Sequence, residues 1–249
     1  MAYETVTRLH TDAALAAGAE VALDDKQTHY LKNVLRLGVG ARIALFNARD
    51  GEWWAEIAGL GKKGGAARLA EQRRKPKPEP DLWLVFAPVK RARIDYLVEK
   101  ATELGVAEIR PVYTARTNVE RVNLERLRAN AREAAEQTER LSLPEIREPQ
   151  DLTRLIAAWP RDRTLVLGDE SGTAPPMIDA ISQRKSAAWA VLIGPEGGFA
   201  DMELDALRAL PFVCAVGLGP RVLRADTAAI AALALLQSLV GDWRAGRGA

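Results

Sequence analysis

Three prolines at alternate positions, in Arg73-Arg74-Lys75-Pro76-Lys77-Pro78-Glu79-Pro80, constrain this chain more than any other feature. Proline fixes φ, lacks an N–H and pushes the residue before it out of the helical region. The stretch is therefore an extended spacer. It divides the 249 residues into a first domain, 1–74, and a second, 81–249. The net charge is only +2, yet seven basic residues and one acidic residue lie between Lys62 and Lys77. Such a local excess either attracts a polyanion or keeps a linker solvated.

Composition removes several classes. Hydrophobic residues make up 48% and charged residues 27%, the balance of an ordinary globular protein. The single cysteine, Cys214, excludes an intramolecular disulfide and points to a reducing, cytoplasmic compartment. It lies within the apolar run FVCAVGL and reads as a small buried hydrophobe. With one cysteine and two histidines, His10 and His29, no Cys/His zinc cluster and no metal are expected. The apolar stretch Ala228–Leu236 is too short to span a bilayer, and MAYETVTRLH has no apolar core of a signal peptide, so no membrane partner is expected.

The first domain reads as mostly β. Ala41–Asn47 and Glu52–Ile57, joined by Ala48-Arg49-Asp50-Gly51, predict a hairpin, and Ala66–Gln72 a further strand. A small β-barrel is the natural closure for such short strands. Before the hairpin, Tyr30, Leu31, Val34, Leu35 and Leu37 have helical spacing over Lys26–Leu37, stopped by Gly38. The second domain alternates strand and helix. Strands are expected at Leu82–Ala87, Glu108–Val112, Arg163–Leu167, Ala188–Ile193 and Phe212–Leu218. Helices are expected at Ile94–Leu104, Asn123–Leu141, Asp201–Leu210 and Thr227–Val240. That alternation predicts an α/β domain with a mostly parallel sheet.

Two glycine-rich loops follow apolar strands: LIGPEGGF at Leu192–Phe199 and VGLGPRVLR at Val216–Arg224. They are either tight strand–helix turns or a backbone cradle for an adenine-containing ligand, because ligands of α/β sheets collect at the carboxyl ends of strands. No GxxxxGK[ST] and no helix-opening GxGxxG is present, which disfavours a Walker-type ATPase and an ordinary dinucleotide dehydrogenase.

GPEGGF at Gly194–Phe199 and LGPRVLRADTA at Leu218–Ala228 resemble the knotted SPOUT class of S-adenosylmethionine-dependent RNA methyltransferases. More narrowly, the chain is similar to the bacterial 16S rRNA uracil-N3 methyltransferases. HYLKNVLRLGVGARIALFNARDGEWWAEI (His29–Ile57) resembles that family's PUA-like RNA-binding barrel. KRARIDYLVEKATELGV (Lys90–Val106) and EQTERLSLPEI (Glu136–Ile146) resemble two further segments, so the likeness runs along nearly the whole chain.

The resemblance implies a PUA-like β-barrel followed by an α/β SPOUT domain with a deep trefoil knot. It also implies S-adenosylmethionine as cofactor, a 16S rRNA substrate within the 30S subunit, and a homodimer whose last helix packs across the two-fold axis. The cofactor cradle it implies comprises Leu167, Gly168, Leu192, Ile193, Gly194, Pro195, Glu196, Gly197, Gly198, Leu218, Gly219 and Leu223. The loop 166–172 forms a third wall. Methylation at N3 needs a uracil that has lost a proton, so Arg224 is the candidate stabiliser of charge on the base oxygen. Glu196 is either a proton acceptor or a structural carboxylate. Candidate RNA contacts are Arg8, Arg36, Lys90, Arg91, Arg93, Arg116 and Arg140. The family usually has Arg-Thr-Glu-Thr-Ala where this chain has Arg224-Ala225-Asp226-Thr227-Ala228. That departure alone supports an alternative, a non-catalytic RNA-binding ribosome-assembly factor. A methyltransferase acting on another rRNA or tRNA nucleotide is a second alternative.

Overall fold

The computed structural model describes residues 7–62 and 64–244; the side chain of Arg91 lies outside the described residues. The chain divides into two compact units, Met1–Pro78 with Ala135–Leu143, and Glu79–Ala134 with Pro144–Ala249. The proline spacer alone does not anticipate that Ala135–Leu143 groups with the first unit.

The first unit holds β1 (Arg8–His10), β2 (Glu20–Leu23), α1 (Asp25–His29), β3 (Arg42–Asn47), β4 (Gly51–Leu60) and β5 (Gly65–Arg74). They form one five-stranded sheet in the order β1-β3-β4-β5-β2, with register shifts in the β4–β5 pair that bend it. The expected hairpin is β3–β4, with Asn47 opposite Gly51. Its turn is held by Asn47 Oδ1, which accepts from the Asp50 N–H at 2.7 Å. Gly51, at φ 78°, passes so close to the Arg74 carbonyl that any Cβ there would collide. β1 and β2 are too short to leave a readable alternation.

The helix expected over Lys26–Leu37 is modified. Asp24 caps α1 through a reciprocal pair with Gln27, and the chain then widens into a π-helical turn, Tyr30–Val34. The Leu35 N–H reaches the Tyr30 carbonyl, five residues back, at 3.0 Å. The extra residue in the turn brings Leu31, Leu35 and Leu37 onto the core and leaves Val34 59% exposed, where regular helical spacing would have turned it inward.

Glu52 is fully buried in this unit, which requires compensation. Arg8 Nε donates to it at 2.6 Å, Arg74 Nη2 at 2.5 Å, and Arg73 also pairs with it. The remaining Arg8 donors reach the carbonyls of Ala135, Glu136 and Arg140. The guanidinium of Arg8 also lies 4.2 Å from the Phe46 ring centroid. One buried cluster thus ties β1, β4 and β5 together and fastens 135–140 to them.

The second unit is a parallel α/β sheet. In chain order it comprises β6 (Leu82–Phe86), α2 (Arg91–Glu103), β7 (Glu108–Tyr113), α3 (Leu124–Gln137, its last turn counted with the first unit), β8 (Glu145–Ile146), β9 (Gln150–Asp151) and α4 (Leu152–Ala157). It continues with β10 (Arg163–Gly168), α5 (Met177–Ser182), β11 (Ala188–Ile193), α6 (Asp201–Arg208), β12 (Val213–Val216) and α7 (Ala225–Val240). The sheet order is β12-β10-β11-β6-β7-β8, with β9 also paired to β7, and every pairing is parallel.

Alternate residues of each central strand enter opposite cores, as strand geometry requires. Leu84, Phe86, Val166, Val191 and Val216 pack with residues of α2, α3, α5 and α7. Val85, Leu165, Leu167, Ala190 and Leu192 pack with residues of α4 and α6. Cys214 is buried in the first of these cores, where burial raises its thiol pKa. Among the described residues, no helix is long and apolar enough to cross a membrane.

Candidate active site

β10 lies between β11 and β12, and the three run parallel, so their following loops emerge at one sheet edge. These loops, 169–176, 194–200 and 217–224, enclose a cavity of about 800 Å³. The carboxyl ends of parallel strands are where α/β sheets take their ligands.

Of the expected cradle, Gly168, Ile193, Gly194, Pro195, Glu196 and Gly198 line the cavity from one side. Leu218, Gly219 and Leu223 line it from the other. Leu167 and Leu192 do not line it; their side chains fill the core beneath. Gly197 is also outside the lining, and its carbonyl accepts from Arg116 Nη1 at 3.0 Å.

The glycines have local causes. A Cβ at Gly194 would sit 2.9 Å from the Phe199 ring, which is folded under the turn and buried. Gly198 has φ 67°, and a Cβ there would collide with Glu170 Oε1. Among the described residues, the backbone N–H groups of Leu218, Gly219 and Leu223 donate to no protein acceptor. Unpaired donors beside apolar leucines suit a flat ring that carries acceptor nitrogens along its edge. An adenine-bearing cofactor therefore fits the residues present.

The charged groups fall into three sets. Arg93 Nη1 lies 3.4 Å from Glu196 Oε1 and 4.0 Å from Asp226 Oδ1, so it faces both the 194–200 loop and the start of α7. Asp226 Oδ1 also accepts from the Thr227 N–H at 3.0 Å. Asp169 is buried and takes Arg208 Nε at 2.9 Å, Arg208 Nη2 at 2.5 Å and the Ser171 N–H at 2.9 Å. Burial pushes the Asp169 carboxyl up, but the bonds from Ser171 and Arg208 outweigh it, leaving its pKa below the usual carboxylate range. Arg224 is the N-cap of α7, makes no side-chain capping bond and lines the cavity. Among the described residues its guanidinium has no hydrogen-bond or ion-pair partner.

The basic residues expected to meet RNA occupy diverse settings. Arg36 and Lys90 are exposed. Arg116 is exposed and lines the cavity, while Arg93 is half-buried in its carboxylate contacts. Arg91 opens α2, with its side chain outside the described residues. Arg8 and Arg140 differ from surface cations: both are buried in the first unit, and Arg8 is committed to Glu52 and three carbonyls. Sequence reading also passed over Asp169, Glu170 and Arg208. The first two sit in the loop identified as a third wall, but Arg208 lies 39 residues further along the chain and carries no motif.

This arrangement, a parallel sheet delivering three glycine-bearing loops around one cavity, with Arg224 on its lining, is that of a domain that binds a nucleoside-like cofactor. Residues 75–237 match the family model described as RNA methyltransferase domain, and residues 23–69 match that of the RNA methyltransferase PUA domain. The chain belongs to this RNA methyltransferase family. It is 34% identical over 234 residues to the ribosomal RNA small subunit methyltransferase E of Rickettsia conorii, spanning 93% of this chain and 95% of the relative. A putative methyltransferase from Legionella pneumophila, solved with its cofactor S-adenosylmethionine bound, superposes with a TM-score of 0.83 at 30% identity, covering 94% of this chain and 97% of that one. The ribosomal RNA small subunit methyltransferase E of Neisseria gonorrhoeae, bound to S-adenosylmethionine, superposes at 0.85 with 27% identity over 96% and 99%.

Proposed function

We propose that this chain transfers a methyl group from S-adenosylmethionine to N3 of a uridine in 16S rRNA of the small ribosomal subunit. The observation that carries the reading is the cavity itself: backbone N–H groups and the Arg224 guanidinium on its lining, all without a protein partner among the described residues, beside apolar leucines. When bound, S-adenosylmethionine supplies an electrophilic methyl on a sulfonium.

The residues of the chain do the rest. Leu218, Gly219 and Leu223 offer N–H groups to the adenine edge, and the leucine side chains cover its faces. The loops fix the approach of the target base, and such placement alone lowers the barrier by several kcal/mol, about 7–11 at best. Uracil N3 becomes a nucleophile only after losing its proton, and Arg224 stabilises the charge that then spreads to the base oxygen. Glu196, held by Arg93, is placed either to receive that proton or to hold its loop. The target uridine must be unstacked to reach the cavity. The first unit grips the RNA around it, and a second copy of the chain packs against α7.

The test is a methylation assay with labelled S-adenosylmethionine on 30S subunits, naked 16S rRNA and tRNA from cells lacking the protein. The product nucleoside is identified by mass. 3-Methyluridine formed in 30S subunits is the expected result. A different methylated nucleoside refutes the N3 assignment, and label confined to tRNA refutes the substrate. Donor binding with no label in any acceptor leaves an RNA-binding assembly factor.

A further inference from the structure

The loop after β10 carries two consecutive carboxylates, Asp169 and Glu170, in opposite situations. Asp169 is buried, with its oxygens consumed by Arg208 and the Ser171 N–H. Arg208 Nη2 also bonds Ser171 Oγ at 2.7 Å, so the loop is pinned on both sides of Glu170. Glu170 is exposed and lines the cavity, and neither of its oxygens has a hydrogen-bond or ion-pair partner among the described residues. Its Oε1 rests over Gly198, in the space that a side chain there would take, so the carboxylate lies beside the 194–200 turn.

An ionised carboxylate only accepts hydrogen bonds. The opposite wall offers N–H donors, which suit the acceptor nitrogens of the base. The donor groups of the same ligand then need an acceptor elsewhere. A vicinal diol presents two O–H groups at a spacing that matches two carboxylate oxygens, the pairing by which acidic residues hold ribose in other nucleotide sites. Glu170 has both oxygens uncommitted, as that pairing requires.

We propose that Glu170 is a cofactor-binding residue that accepts from the ribose hydroxyls of the methyl donor, in a loop that the Asp169–Arg208 pair holds in place. The inference rests on the cavity being the S-adenosylmethionine site. The experiment is calorimetric binding of S-adenosylmethionine, S-adenosylhomocysteine and 5′-methylthioadenosine to the wild-type chain, Glu170→Ala and Glu170→Gln. All three ligands carry the ribose, the first two carry the amino-acid group, and only the first and not its demethylated product carries the sulfonium. The expected result is a similar weakening for all three with Glu170→Ala, about 10- to 100-fold, as for loss of hydrogen bonds to a charged group. Glu170→Gln, which keeps one acceptor oxygen, should lose less. Unfolding temperatures should not change, because the side chain has no protein partner to lose. Unchanged affinities overturn the proposal. A loss confined to the two amino-acid-bearing ligands moves Glu170 to the ammonium, and a loss confined to S-adenosylmethionine moves it to the sulfonium; both also overturn it. If the wild-type chain binds none of the three, the cofactor reading of the cavity has failed first.

Discussion

Replacing Arg224 with serine should stabilise the protein while removing its activity. Arg224 is the N-cap of α7 with φ −67° and ψ 153°, a conformation that a capping serine adopts readily. Arginine is a poor choice there. It makes no capping bond, and its positive charge faces the positive end of a 16-residue helix. The Thr227 N–H already reaches Asp226 Oδ1, so a serine hydroxyl at 224 would have the Asp226 N–H left to accept from. The gain is therefore at the low end of capping values, about 0.5–1 kcal/mol. In a unit of this size that raises the unfolding temperature by about 1–4 °C. Turnover should move the other way. Losing one preorganised stabiliser of developing charge costs about 10²–10³ in kcat, or about 2.7–4 kcal/mol. Donor affinity should stay within about twofold, because the base-reading groups are backbone N–H groups of other residues and none depends on the guanidinium. The assays are thermal unfolding, calorimetric S-adenosylmethionine binding and single-turnover methylation of 30S subunits. A fall in donor affinity that matches the fall in rate would show that Arg224 serves the cofactor. A fall in unfolding temperature would show that it serves the fold.

Glu52→Ala should destabilise the first unit by about 3–5 kcal/mol, since it strands the buried Arg8 beside an empty space; denaturant unfolding measures this. Burial pushes the Glu52 pKa up, but hydrogen bonds from Arg74 and Arg8 outweigh it and hold the folded value below the usual range. Its contribution is therefore complete above the unfolded pKa and lost as the pH falls through the folded one, so acid titration of wild type should lose stability that Glu52→Gln never had. Gly194→Ala should cost about 1–3 kcal/mol and weaken donor binding, because the new methyl must displace Phe199; equal affinity in a calorimeter would refute the close approach. Arg208→Ala should raise KM for the donor more than it lowers kcat, since it frees a loop that lines the cavity. An effect on kcat alone in steady-state assays would count against a positioning role.

The second unit was legible because both signals agreed. Apolar runs such as Leu82–Phe86 and Ala188–Ile193 suit strands buried on two faces, and α2, after the first run, and α7, near the end of the unit, carry helical stripes. Short pieces escaped. α4 and α5, of six residues each, and β8 and β9, of two each, are too brief for a period to register. In the first unit, the π-helical turn defeated helical spacing at Val34, because a single added residue shifts the face by most of a turn's third. The cavity's glycines were visible as punctuation after strands. The charges around it were not, since Arg208 meets Asp169 and Arg93 meets Glu196 only through the folded sheet. Arg8 shows the same limit from the other side. Nothing local distinguishes a buried arginine from a surface one when its partners, Glu52 and the carbonyls of 135–140, lie 44 and more than 120 residues away.

The departure at Ala225-Asp226 bears on whether this cavity still catalyses. The shorter carboxylate of Asp226 would weigh against turnover if it left a gap or an unpaired charge. Its charge is not left unpaired: Asp226 accepts from the Thr227 N–H within the first turn and faces Arg93 at 4.0 Å. Arg93 in turn spans the 3.4 Å to Glu196, so the two loops stay electrostatically joined through one guanidinium. Ala225 lines the cavity as N1 of α7, where a methyl group is a good helix former and leaves room. Neither change removes a contact of Arg224, whose guanidinium has no partner among the described residues and which occupies the N-cap of α7 without a capping bond. The two departures from the family pattern are thus met by local contacts, and Arg224 stays on the cavity lining, where the proposed reaction would use it.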